Sequence, residues 1–330
     1  MASEWRCEPI SGDMILFAPD RVRRPHAKSD QIDWTLPADD PFAEGQEHQT
    51  PGEVFALREP GTAANTPGWL VRVVPNKFPA LSPGSATSSP AGVEFASHPA
   101  SGVHEVIIEC PQRESHLTRR PIEQTRNVLL AYRTRMQSLR DEKSVRHAFV
   151  FKNHGRFAGA SLLHAHSQLM GFPFVPPMVL KGLDYAQQST GDAFTKLIQK
   201  ELEDGLRVVR TSPQFVVFCP FASRFPYEMW LLPRRRSSHF EQTNNSDLFE
   251  LADVLRDVLL RLEAVTGDAA YNFVLHSAPF GEEHPNYRWQ IRILPRITGL
   301  AGLELGGGTH VNLVLPEDAA AELRSDGATM

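Results

Sequence analysis

The chain has 330 residues, 41% of them hydrophobic and 22% charged, with a net charge of −5. That is length enough for one large or two medium domains, and the acidic balance excludes a general nucleic-acid-binding field. No apolar run reaches the length of a membrane span and no signal core opens the chain, so a cytoplasmic protein is expected; Cys7, Cys110 and Cys219 are odd in number and lack C-x-x-C spacing, which argues against a disulfide framework or a thiolate zinc site.

In chain order, Met14-Ile15-Leu16-Phe17 reads as a short strand ending in the basic turn Pro19-Asp20-Arg21-Val22-Arg23-Arg24-Pro25, and 26–66 reads largely as loop. Val71-Arg72-Val73-Val74 is a strand closed by Pro75-Asn76-Lys77-Phe78-Pro79, and the Ser/Pro/Gly/Ala-rich 81–102 is expected to be a surface loop. Residues 104–109 alternate as a strand. From 121 to 139, Ile122, Leu129, Tyr132, Met136 and Leu139 recur at helical spacing. After a polar segment at 181–211 come strands at 215–218 and 227–233. A helix from about 247 to 265 stops at Gly267, and strands at 271–276 and 287–295 follow.

The stretch 145–177 carries the chemistry. It reads as strand, Gly-containing turn and strand, with His164, His166 and Gln168 projecting from one face because side chains alternate along a strand. Backbone N–H groups in such a turn can hold an anion. A neutral imidazole beside them can attack phosphorus if its other N–H is held by an acceptor. His166 is the better placed of the two. Gln168 can donate to a phosphate oxygen but cannot activate water, which favours transfer over hydrolysis. An isolated His-x-His is more simply a structural and a surface histidine; Asn153, Gly155, Gly159, Ser161 and Gln168 around this one tip the reading to phosphate.

The two halves repeat the same order of elements, which points to a duplicated α+β unit, each copy an antiparallel sheet with a long helix across one face. The copies span 1–180 and 181–330. Asn286, Arg288 and Gln290 fall opposite His164, His166 and Gln168, so the second copy has no nucleophile and is expected to contribute structure and sugar binding.

At these residues the chain resembles the galactose-1-phosphate uridylyltransferase family of the histidine-triad superfamily. The likeness rests on Arg21 to Pro25, Val71 to Leu81, His164-Ala165-His166-Ser167-Gln168 and Tyr271 to Pro295. Phe151-Lys152-Asn153-His154-Gly155, Phe172-Pro173-Phe174-Val175-Pro176-Pro177 and Gly302-Leu303-Glu304-Leu305-Gly306 are similar to the branch that includes ADP-glucose phosphorylases. The resemblance implies ping-pong transfer of an NMP group between a nucleoside-diphosphate sugar and a sugar 1-phosphate, of the UDP-glucose:hexose-1-phosphate type. His166 would be the nucleophile, and Gln168 would bond the phosphate. Asn153, Gly159 and Ser161 would be phosphate contacts, Arg21, Arg24, Asn76 and Phe78 nucleotide-side residues, and Glu304 a hexose contact. It also implies a homodimer. Two alternatives stay open: an ADP-sugar phosphorylase using phosphate as acceptor, and a nucleotide-binding protein without turnover. The family often carries C-x-x-C where this chain has Asp40-Pro41-Phe42-Ala43, paired with histidines matching His116 and His164. At a second metal position His276 remains while Arg288 and Gln290 stand where histidines are found. No metal or other cofactor is therefore expected, with His116 held by ordinary hydrogen bonds.

Overall fold

The helix expected over 121–139 forms in the computed structural model at Ile122–Arg140 (here α1), and its stripe of Val128, Leu129, Tyr132, Met136 and Leu139 is buried against a sheet. The structure describes residues 3–19, 39–84, 99–188 and 192–325. The strands are β1 (Glu4–Cys7), β2 (Met14–Phe17), β3 (Phe55–Arg58), β4 (Trp69–Pro75), β5 (Val103–Ile108), β6 (His147–His154) and β7 (His166–Phe172) in the first half. Those of the second half are β8 (Val208–Thr211), β9 (Phe215–Phe218), β10 (Met229–Pro233), β11 (Tyr271–His276), β12 (Gln290–Pro295) and β13 (Val311–Asn312). The further helices are α2 (Pro177–Gln187), α3 (Ala193–Asp204), α4 (Asn245–Thr266), α5 (Gly302–Gly307) and α6 (Pro316–Ser325).

The duplication is visible in the strand order. One sheet runs β3-β4-β5-β7-β6-β11-β12-β10-β9-β8, so the first half, 3-4-5-7-6, meets a mirrored second half, 11-12-10-9-8. Where two sheets were expected, they join edge to edge: β6 pairs antiparallel with β11, Tyr271 opposite His154 and Asn272 opposite Asn153. A smaller sheet, β1-β2-β13, stands apart.

Both long helices lie on one face, in one core with Val71, Val150, Leu169, Phe273, Leu275 and Ile291. Each fully buried side chain of this kind contributes about 1.5–3 kcal/mol. α4 begins as its sequence dictates, Asn244 accepting from the Asp247 N–H, and ends at Gly267, whose left-handed φ of 64° suits glycine.

The region 26–66, described from residue 39, is largely loop, with the four-residue β3 inside it too short a signal to read. Other expectations need correction. The segment 181–211 contains most of α2, all of α3 and β8. Val179, Leu183 and Ala186, with Phe194 and Ile198, form a thin apolar face on these helices that covers Phe218, Trp230 and Tyr287 of the second half. Gly302–Gly307 is a short helix closed by Gly308 at φ 64°. Among the described residues no helix is long and apolar enough to cross a membrane.

Candidate active site

Alternation along β7 sends Ser167 and Leu169 toward the helices and His166 and Gln168 to the opposite face. The β5 ladder sets Ile108 opposite His166 and Val106 opposite Gln168, and Phe151 of β6 faces Gln168 from the other side. Two residues along β6, Asn153 reaches the level of His166. His164 departs from expectation: it lies in the bend before β7 rather than on the strand face.

His166 is held in the form a nucleophile needs. Its Nδ1–H donates to the His164 carbonyl (2.7 Å), which leaves Nε2 as the lone-pair nitrogen. Burial, partly offset by that bond, pulls its pKa down to about 4, so the ring is neutral at neutral pH. Phe42 packs edge-on against it, ring centroids 5.3 Å apart.

Gln168 is oriented by a residue that sequence reasoning missed. The Ala80 N–H donates to His104 Nδ1 (3.1 Å), so Nε2 carries the proton and donates to Gln168 Oε1 (2.8 Å). The Gln168 amide nitrogen is thereby left to donate to a phosphate oxygen. Asn76 Nδ2 lies 3.1 Å from the same His104 nitrogen, and Asn76 Oδ1 accepts the Phe78 N–H (2.9 Å). Asn76, His104 and Gln168 thus form one chain of polar contacts, with Phe78 exposed at its lip. Period-2 spacing puts His104, Val106 and Ile108 on one face of β5, but only the β5–β7 register shows that this is the Gln168 face.

The residues expected to contact phosphate, Asn153, Gly159 and Ser161, gather at the other edge. Asn272 Nδ2 donates to Asn153 Oδ1 and to the Ala158 carbonyl, both at 2.8 Å, pinning the amide oxygen. The Asn153 nitrogen then faces Gly159, whose φ of 90° and position 3.7 Å from that nitrogen, measured to an added Cβ, make glycine the fitting residue. Ser161 is exposed in the same turn. Glu304 is not brought to this face: its carboxylate accepts from the Ala301 N–H (2.9 Å) and the Val311 N–H (3.3 Å), beside the small sheet. Arg21 and Arg24 lie outside the described residues.

Behind His166, on the helix side, sits a buried charge network. Lys152 Nζ donates to Glu109 Oε2 (2.6 Å) and to the His166 carbonyl (3.3 Å). Ser167 Oγ and Tyr132 OH also meet Glu109. Burial alone would raise the Glu109 carboxyl, but the Lys152 charge and hydrogen bonds overcome it and hold the group below its ordinary value.

The family's thiolate-type zinc does not fit the residues present. Asp40 Oδ2 accepts from His164 Nδ1 (2.8 Å), Asp40 Oδ1 accepts the Phe42 N–H (3.1 Å), and Ala43 offers no donor. His164 Nε2 faces the Cys110 carbonyl at 2.8 Å, so both nitrogens of the ring stand against oxygen atoms of the protein. The nearby Cys110 thiol is pushed up to about 12 by burial and donates to the Gln112 carbonyl. His116 is turned elsewhere, onto Asp268. At the second position Arg288 donates to the Pro233 and Arg234 carbonyls and to Thr195, while Gln290 accepts from Arg292.

The Asp40–His164 pair therefore props the loop that seats Phe42 on His166. Asp40→Ala is expected to cost about 3 kcal/mol, the penalty of stranding a buried partner, and to lower kcat more than it changes KM. Urea unfolding and steady-state kinetics check this; a variant as stable and active as wild type would remove the pair from any positioning role.

The galactose-1-phosphate uridyl transferase family matches this chain in both parts, the N-terminal domain over residues 1–176 and the C-terminal domain over 181–297. An ADP-glucose phosphorylase of Arabidopsis thaliana is 32% identical over 99% of this chain and 93% of its own length. A galactose-1-phosphate uridylyltransferase of Thermotoga maritima is 27% identical over 70% of this chain and 76% of its own. The crystal structure of an Arabidopsis thaliana ADP-glucose phosphorylase with bound ADP-glucose superposes with a TM-score of 0.81 at 30% identity, covering 98% of this chain and 99% of that one. With both family domains matched and a relative 32% identical over nearly the whole chain, the chain belongs to the galactose-1-phosphate uridylyltransferase family, a family of nucleotidyltransferases.

Proposed function

We propose that this protein moves a nucleoside monophosphate group from a nucleoside-diphosphate sugar to a phosphate acceptor through a covalent His166 intermediate. The observation that carries the proposal is His166 itself: neutral, with Nδ1–H fixed on the His164 carbonyl, beside a Gln168 amide turned to donate. In the first step the Nε2 lone pair forms a bond to the α-phosphorus. The bond to the bridging oxygen breaks, and the sugar 1-phosphate leaves with the electron pair. In the second step an oxygen of the acceptor phosphate attacks the same phosphorus and the P–N bond breaks, restoring the imidazole. Gln168 and Asn153 supply N–H groups to the charged oxygens as the transferring group passes.

An ADP-sugar as donor with inorganic phosphate as acceptor is the reading supported by the relative similar over nearly the whole chain. A UDP-sugar with a hexose 1-phosphate as acceptor is the second reading, supported by the uridylyltransferase relative. A binding protein without turnover has less support, since it has no need of a nucleophile. The same proposal includes a cytoplasmic homodimer without a thiolate-type zinc. Phe78 at 84% and Phe174 at 53% exposure are surfaces a second subunit would cover.

Intact mass after brief exposure to ADP-glucose or UDP-glucose tests it. One AMP or UMP per chain, removed by adding phosphate or a sugar 1-phosphate, is expected, and the mass names the base. Turnover without any such adduct under single-turnover sampling would rule out the covalent route.

A further inference from the structure

A second set of metal-type donors sits on the helix side of the sheet, where the two halves meet. His116 precedes a short helical turn at Leu117–Arg119, His154 ends β6, and Asp268 lies in the turn from α4 to β11 with a left-handed φ of 71°. Their ligand atoms all lie within 4.8 Å of one another. His116 Nε2 is 2.8 and 2.7 Å from the two Asp268 oxygens, and His154 Nε2 is 3.8 Å from Oδ1. At metal–ligand bonds of about 2.0–2.2 Å, donors of a tetrahedral zinc stand roughly 3.3 Å apart, within the range these atoms span.

The surroundings orient the set. Ser115 Oγ is 2.6 Å from His116 Nδ1, which leaves Nε2 as the nitrogen facing the cluster. Tyr271 stacks on His154 at 4.6 Å and 26°. Both histidines are at most 3% exposed, while the Asp268 side chain is 23% exposed, giving an ion an approach from solvent. Arg119 Nη2 stands 3.7 Å from Asp268 Oδ2, but its side chain is 53% exposed and has room to swing out.

We propose that His116, His154 and Asp268 bind one divalent ion of the zinc class, with water completing its shell. Two imidazoles and one carboxylate with an open fourth position are a set that zinc and its neighbours take and magnesium or calcium do not. This donor set differs from the thiolate set that the chain has lost. The ion would tie the loop at 116 and the end of β6 in the first half to the α4–β11 turn of the second, directly behind Asn153.

Tag-free protein stripped with a chelator should regain one Zn²⁺ per chain, measured by elemental analysis after gel filtration. Zn²⁺ alone should raise its unfolding temperature. Asp268→Asn keeps an acceptor for the His116 hydrogen bond but loses the carboxylate, and His154→Gln removes a donor. Each should weaken zinc affinity by about tenfold or more, and Co²⁺ titration should lose its visible absorption with them. No saturable uptake by the folded wild-type protein, or uptake unchanged in both variants, would overturn the proposal.

Discussion

His166→Ala should reduce nucleotidyl transfer by roughly a thousandfold or more while nucleotide binding stays measurable. The substitution removes the atom that forms the P–N bond. It leaves the Asn153 and Gln168 amides in place, because the one is held by Asn272 and the other by His104. Loss of the mass adduct, retained thermal stabilisation by the nucleotide sugar and loss of kcat should therefore appear together. A variant that still turns over at wild-type rate would discard the mechanism. The acid limb carries further information. An exposed imidazole protonates near 6.5, whereas burial holds His166 down at about 4. Falling pH should thus leave the nucleophile unprotonated until about pH 5, and rates of the first step should hold from about pH 7 to that point.

Lys152→Met should cost about 3–5 kcal/mol of stability, because it strands Glu109 as a lone carboxylate in a site that admits no water-facing escape. The sign of its pH dependence follows. With the cation gone, Glu109 has a folded pKa above its unfolded one. The deficit is then largest at neutral pH and shrinks as pH falls and the carboxyl takes a proton. Adding Glu109→Gln should restore part of the loss. Urea unfolding of the single and double variants at neutral and acid pH measures all of this. A single variant as stable as wild type would mean that the network contributes nothing. Lys152 also donates to the His166 carbonyl, so the single variant should lose activity beyond what its stability explains.

Much of this was legible because alternation and helical spacing are strong over β4, β5, β6, α1 and α4, and because His166 and Gln168 stand in a specific setting. What was not legible depends on pairing between distant segments. Nothing in residues 104–108 announces that β7 will lie beside them, so His104 passed as an ordinary strand residue. Asp40 read as a lost thiolate; that it holds His164 by a hydrogen bond shows only once residues 124 positions apart are in contact. α2 and α3 were taken for a polar segment since their buried faces are sparse, a thin apolar stripe packed on Phe218, Trp230 and Tyr287. Reading β7 back to His164 failed for a local reason, as the chain bends there to aim the imidazole at Asp40.

β11 occupies the edge of β6, the strand that carries Asn153 and Lys152. Were the second repeat absent, an eight-residue strand with apolar Val150 and Phe151 would present an open ladder to any other chain, the setting in which edge-to-edge aggregation begins. The second half thus closes the border of the first, because β6 has a paired neighbour on both sides, β7 on one and β11 on the other.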